Sequence, residues 1–349
     1  MIDTDTAPSL AATAVALPAH RHSQSEVIAA LSDYAGDDFQ RFAVSSGVSA
    51  RNLAVPLERY PELSSFTETN EVYAAVALDL GERCIRDALN AAGIRPEEVD
   101  IVFSTTVTGL AVPTVEARLA AHVGLRPDVK RVPLFGLGCV AGAAGVARMH
   151  DYLRAYPDHV AVLLAIELCS LTVQREDHSV ANLVASSLFG DGAAAVVATG
   201  ARRLTSGPQV IASRSRLYPD SEKVMGWKIG TSGFKIVLSA DVPMIAEKYL
   251  GADVQQFLAE FDLNSSDITT WVCHPGGPKL IDALEQVLDL PSTALARTRE
   301  SLRENGNLSS ASVLDVLRAN LADPPAAGSW GMMIAMGPGF CSELVLLRW

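Results

Sequence analysis

The sequence predicts an α/β protein in two similar halves, each a βαβ-rich unit with a mixed sheet and helices on both faces. Three observations carry this expectation. A long helix, Pro96-Glu97-Glu98-Val99-Asp100 and a strand over 101–105 are echoed by a long helix, Ser265-Ser266-Asp267-Ile268 and a strand over 269–273. The Gly136-Leu137-Gly138-Cys139 corner, which opens a helix, is echoed by Asn305-Gly306-Asn307-Leu308, which opens another. The apolar runs 160–166 and 192–198 correspond to the two closing runs, 330–336 and 343–347.

Taken in order, 13–17 reads as the first strand. Residues 25–33 and 37–44 keep a helical period until Ser45-Ser46-Gly47 breaks it, which leaves Arg41 and Arg51 flanking a surface segment. A long helix over 68–92 is stopped by Gly93, although Gly81 weakens its middle. The strand 101–105 and the helix 114–123 follow. An extended run over 131–135 then turns through the Gly136 and Gly138 elbow into Cys139, and small residues open a helix reaching roughly Tyr156. Beyond it come a buried strand (160–166), a short helix (182–187) and another strand (192–198). The first of these is too short to cross a bilayer.

From 204 to 230 Ser, Gly and Pro cluster around short strand-like pieces, and the boundary falls near Gly200, dividing the chain into 1–200 and 201–349. Helices over 242–261, 278–287 and 308–321 and strands over 269–273, 330–336 and 343–347 complete the second half.

Composition narrows the function classes. The chain has 349 residues, 49% apolar and 19% charged, enough for one large or two medium well-packed domains. A net charge of −12 leaves no basic run to neutralise phosphates, which argues against nucleic acid as a partner and sends any anionic substrate to a local basic patch. Five cysteines without paired spacing fit a reducing cytoplasm rather than a disulfide framework. Met1-Ile2-Asp3-Thr4-Asp5 carries acid where a signal peptide carries base.

The chemistry centres on Cys139. A thiol at a helix N-terminus meets unpaired amides and the positive end of the helix dipole, which favour its anion. A strand, glycine, cysteine and helix corner is also compatible with simple tight packing. Duplication brings corresponding loop ends to one centre, so His274, at the end of strand 269–273, and Asn307 join Cys139 as candidates for a single site. An imidazole pairs with a thiolate and polarises a thioester carbonyl, while a carboxamide holds an oxyanion without titrating. Asn307 after Gly306 reads equally as a helix cap. The other six histidines fall in stretches that read as solvated helix faces or loops.

Leu137-Gly138-Cys139-Val140-Ala141-Gly142, Leu188-Phe189-Gly190-Asp191-Gly192-Ala193-Ala194-Ala195, Cys273-His274-Pro275-Gly276-Gly277-Pro278, Gly306-Asn307-Leu308-Ser309-Ser310-Ala311 and Met336-Gly337-Pro338-Gly339-Phe340 resemble, in order, the successive signatures of type III polyketide synthases, the chalcone-synthase-like family. The resemblance implies a homodimeric thiolase fold, αβαβα in layers, with two mixed five-stranded sheets. It implies an acyltransferase that loads an acyl-CoA starter on Cys139 and extends it by decarboxylative condensation with malonyl-CoA, using no cofactor beyond CoA thioesters and no metal. By it, His274 and Asn307 hold the thioester carbonyl and the enolate, and Phe189 is a gatekeeping aromatic. Gly337, Pro338 and Gly339 form the cavity wall, and Thr108, Cys169, Thr172, Ile236 and Ser309 line the substrate space.

Ile236 stands where plant members carry a second gatekeeping Phe, and the small or aliphatic lining suggests an aliphatic starter closing to a pyrone or resorcinol-type product. In this the chain resembles bacterial alkylpyrone and alkylresorcinol synthases. Arg41, Arg51 and Lys279 are candidates for the CoA phosphates, each also readable as an ordinary solvated charge. The rivals are a ketoacyl synthase that takes malonyl from a carrier protein, which shares the Cys, His and Asn set, a cysteine hydrolase, and a non-catalytic binding protein of the same fold.

Overall fold

The computed structural model describes residues 6–203 and 205–349, the side chains of 32–38 excepted, so Met1 to Asp5 and Leu204 lie outside the described residues. The first half runs β1 (Ser9–Ala16), β2 (His20–Ser23), α1 (Gln24–Ser45), β3 (Ala50–Leu53), α2 (Phe66–Ala92), β4 (Ile101–Thr106), α3 (Val115–Val123), β5 (Lys130–Phe135), α4 (Ala141–Ala155), β6 (Val160–Leu168), α5 (Val180–Leu188) and β7 (Asp191–Thr199). The second runs β8 (Gln209–Leu217), β9 (Met225–Gly230), β10 (Gly233–Leu238), α6 (Val242–Ala259), β11 (Ile268–Cys273), α7 (Pro278–Val287), α8 (Ala296–Asn305), α9 (Ser312–Ala322), β12 (Trp330–Gly337) and β13 (Cys341–Arg348). The two stretches expected as helix on either side of residue 35 are one helix. Ser23 caps it reciprocally with Glu26, and Ser65 and Glu68 do the same for α2. Gly93, at φ 65°, ends α2 in the left-handed conformation that the sequence predicts.

Period-two alternation builds the layers. On β6, Val160, Val162, Leu164 and Ile166 face α2 and α3, whereas Ala161, Leu163 and Ala165 face the molecular centre. On β12 the same division sends Met332, Ile334 and Met336 toward α6 and α7, and Met333 and Ala335 inward. The inner faces of both halves sandwich α4 and α9 in one core. The order of layers is therefore helix, sheet, helix, sheet, helix.

The sheets differ from expectation in number. They form one continuous nine-stranded sheet, β11-β12-β13-β8-β1-β7-β6-β4-β5, with five strands from the first half and four from the second. The halves join where Ser9 pairs with Gln209, flanked by Leu10 N–H to Pro208 O (2.9 Å) and Val210 N–H to Pro8 O (2.8 Å). These bonds satisfy two edges that would otherwise lie open. The second half lacks a counterpart of β5 because the chain before Asn307 is α8, where Arg297, Arg299 and Arg303 form surface ion pairs and only Thr298, Ser301 and Leu302 are buried. Among the described residues, no helix is long and apolar enough to cross a membrane.

Candidate active site

Cys139 lies in a short 3-10 turn, Gly138–Val140, between β5 and α4. Gly138 takes φ +55°, and a Cβ there would stand 2.7 Å from Pro338 Cδ, so both conformation and space require glycine. Gly337 backs the same turn, its α-carbon facing the Leu137 carbonyl and the Val140 amide. Asn307 is held from the first half: its N–H donates to Leu188 O (2.9 Å) and its carbonyl accepts from Gly190 N–H (3.0 Å). This main-chain latch puts the Asn307 to Ser310 loop beside the thiol, where Ser309 Oγ sits 3.5 Å from Cys139 Sγ.

The expected helix over 308–321 begins later, at Ser312, after a 3-10 turn Ser309–Ala311. Asn307 precedes the caps of both, Leu308 and Ala311, and its Oδ1 accepts from Ser309 N–H (2.8 Å) and Ser312 Oγ (3.5 Å). The carboxamide oxygen is thus occupied, and the amino group is the part of the side chain left for a ligand.

His274 ends β11, its N–H donating to Ile334 O of β12 (2.8 Å). Since Cys273 is in register with Ile334, His274 lies one strand away from the Met336-Gly337-Pro338 segment that abuts the Cys139 turn. The ring is 3% exposed, and neither nitrogen has a hydrogen-bond partner. Most buried polar atoms have a partner, so an imidazole with none is a candidate for a ligand.

Burial reverses the electrostatic expectation at the thiol. Enclosure pushes Cys139 up to about 12, with buried Glu167 acting the same way, against weaker support from Ser309 and the backbone amide. Enclosure likewise pushes His274 down to about 3. At rest Cys139 is a thiol and His274 a neutral imidazole. A helix start is legible in sequence, but the depth at which it is buried is not.

Thr108, Cys169, Thr172 and Phe189 line one cavity of about 150 Å³ together with Cys139. Ile236, Ser309 and Pro338 line the same cavity, whereas Gly337 and Gly339, expected in its wall, and His274 and Asn307 do not line it. Lys279 and Arg41 are exposed and do not line it, Lys279 on the first turn of α7 and Arg41 against the Phe42 ring (5.1 Å).

Arg51 is not a surface cation. It is 2% exposed, and its guanidinium donates to the carbonyls of Ser186 and Phe189 (both 2.7 Å) and Ser187 (2.8 Å) and to Gln24 Oε1. It caps the C-terminal carbonyls of α5, a role for which a cation suits the helix dipole, and has no donor left for a phosphate beyond an enclosed Nε. His150, expected on a solvated face, is also buried.

Sequence reading passed over Glu167. It is fully buried at the end of β6 and accepts from Ser310 Oγ (2.5 Å), Thr108 Oγ1 (3.0 Å) and Val107 N–H (3.1 Å), so one carboxyl ties the Asn307 loop to the opposite wall. Burial raises it to about 7. Its signal was an acid closing an otherwise wholly apolar strand.

With this geometry established, comparison with known proteins decides the family. Residues 20–202 match the N-terminal domain of chalcone and stilbene synthases, and 209–349 match their C-terminal domain. The chain belongs to the chalcone and stilbene synthase family. Its members are type III polyketide synthases, acyltransferases that condense CoA thioesters on a thiolase fold.

A 1,3,6,8-tetrahydroxynaphthalene synthase of Streptomyces peucetius subsp. caesius is 50% identical, covering 99% of this chain and 94% of the relative. A putative chalcone synthase of Bacillus subtilis is 38% identical, covering 86% of each. The crystal structure of the Streptomyces coelicolor 1,3,6,8-tetrahydroxynaphthalene synthase, a bacterial type III polyketide synthase, superimposes with a TM-score of 0.94 at 30% identity, covering 98% of this chain and 99% of that one. The family assignment sets aside the carrier-protein condensing enzyme, the hydrolase and the non-catalytic binder.

Proposed function

We propose that this enzyme uses malonyl-CoA as both starter and extender, builds the chain on Cys139 and closes it to a polyhydroxylated naphthalene. What supports the product is the 50% identity to a tetrahydroxynaphthalene synthase over nearly the whole chain. What supports the site is a buried thiol that lines a cavity, with the Asn307 loop latched against it.

The steps follow from the groups present. Neutral His274 takes the Sγ proton as the sulfur attacks the starter thioester, and the proton then leaves with the departing CoA thiol. Each ion of the transient pair offsets the other's desolvation, which neither could bear alone. When malonyl-CoA loses CO₂, the electron pair of the broken bond becomes an enolate. N–H donors on His274 and the Asn307 amino group hold its oxygen. The enolate carbon attacks the Cys139 thioester, and the lengthened chain leaves on CoA to be reloaded.

A second reading keeps an aliphatic starter, favoured by the aliphatic wall of Val27, Ala30, Leu31, Leu57, Leu63 and Ile236. Mass analysis of products from malonyl-CoA alone, and with a panel of fatty acyl-CoAs, separates the two. A naphthalene-type product from malonyl-CoA alone is expected. Product formed only when a fatty acyl-CoA is present would replace the first reading with the second. We also propose that the enzyme works as a homodimer in the cytoplasm, where its five free cysteines stay reduced.

A further inference from the structure

One polar chain in the cavity wall has no part in the steps above. Tyr60 and Ser170 both line the cavity, and Tyr60 OH lies 2.5 Å from Ser170 Oγ. Ser170 in turn bonds Asp191 Oδ2 through its hydroxyl and Asp191 Oδ1 through its N–H (2.8 Å). Asp191 is fully buried behind the wall and accepts a further bond from Ala54 N–H (2.7 Å). A phenol, a hydroxyl and a carboxyl therefore form an unbroken line from the reaction space into the interior. Arg51 supplies the charge that steadies the carboxylate, and the Val55 amide bonds the phenolic oxygen.

We propose that Tyr60, Ser170 and Asp191 form a proton relay that neutralises the oxyanion produced when the enzyme-bound chain closes into a ring. Each hydroxyl both donates and accepts, so the line runs in two polarities. In one, Tyr60 donates to Ser170 and Ser170 to the Asp191 carboxylate. In the other, protonated Asp191 donates to Ser170 and Ser170 to Tyr60, which frees the phenolic O–H to point into the cavity.

Ring closure by attack of an enol carbon on a chain carbonyl leaves an alkoxide. That oxygen takes the Tyr60 proton, Tyr60 takes the Ser170 proton and Ser170 takes the Asp191 proton. The balance is one O–H formed on the product and one lost from Asp191. The carboxyl is recharged with the proton that the enol hydroxyl releases as its oxygen becomes a carbonyl, passed back along the same line from Tyr60 through Ser170. Burial brings Asp191 up to about 6, so it exchanges a proton near neutrality. A hydroxyl chain in this cavity steers cyclisation, whereas the Cys139 group governs extension.

The relay rests on the reading of this cavity as the place of chain extension, and the test separates the two. Wild-type, Tyr60→Phe, Ser170→Ala, Ser170→Thr and Tyr60→Phe/Ser170→Ala enzymes are given malonyl-CoA, and cyclised aromatic product is measured per CoA released. Tyr60→Phe and Ser170→Ala are expected to lower this ratio about tenfold or more, within the range of general acid contributions, with open chains and simple lactones taking its place. Ser170→Thr, which keeps the hydroxyl, restores it. The double variant is no lower than either single one, because one broken link disables the line.

A wild-type ratio in Ser170→Ala, or a Ser170→Thr ratio as low as that of Ser170→Ala, overturns the relay. Wild-type enzyme that releases CoA yet makes only open chains overturns it while leaving extension intact. Absence of any CoA release removes both.

Discussion

At the scale of single residues, the chemistry depends on charged forms that burial suppresses. Cys139 and His274 rest neutral, and two enclosed carboxyls, Glu167 and Asp191, are held toward their protonated forms. The carboxyls have a consequence for stability. Glu167 is raised from 4.5 to about 7 by burial. Below 4.5 both folded and unfolded chains carry its proton; between these values only the folded chain does; stability therefore falls as pH rises through this window, by roughly 3 kcal/mol. Asp191, raised to about 6, acts with the same sign at lower pH. Urea unfolding of Glu167→Gln at about pH 4 and about pH 8 is expected to show a smaller loss than wild type by about that amount. Equal losses in the two proteins would mean that Glu167 titrates in the fold as it does in the unfolded chain.

Elements differ in how plainly the sequence announces them, for physical reasons. β6 and β7 are buried on both faces, so they appear as unbroken apolar runs, and α2 carries its own stop in Gly93. By contrast α8 is nearly all charge on its exposed face, and its short buried side is too narrow to show a period. The union of β1 with β8 rests on a single registered pair between segments far apart in sequence, which no local pattern records. Cys139 was legible because a glycine-rich turn marks it, and the lining positions Thr108, Cys169, Thr172 and Ile236 through the resemblance to a family. The burial of Arg51 was not, because its partners are main-chain carbonyls whose positions the sequence does not encode.

One element also makes a forecast about assembly. β5 is the sheet's edge strand, with Lys130, Arg131, Pro133 and Phe135 exposed, and Val112 beyond β4 is 95% exposed. An open edge beside bare apolar side chains suits a second copy of the same edge. Sedimentation should give twice the 37.0 kDa chain mass, and Phe135→Asp should shift the population toward monomer. A monomer at micromolar wild-type protein would contradict this.

On the scale of the whole molecule, duplication is what makes the site. Neither half holds the cavity alone: the first supplies Cys139 and most of the wall, and the second supplies Ser309 beside the sulfur, with His274 and Asn307 proposed as its partners. Each half is clamped to the other close by, through the Asn307 latch on Leu188 and Gly190 and through Glu167 on Ser310. The central layer of α4 and α9, enclosed between the inner faces of the two halves of the sheet, fixes that meeting point. The most direct test is to quench the enzyme during turnover of malonyl-CoA, digest it and locate the bound acyl group by mass. The expected result is an acyl thioester on the peptide carrying Cys139, absent from Cys139→Ala. An adduct on Cys169 instead, or product formation with no adduct on Cys139, would contradict the account.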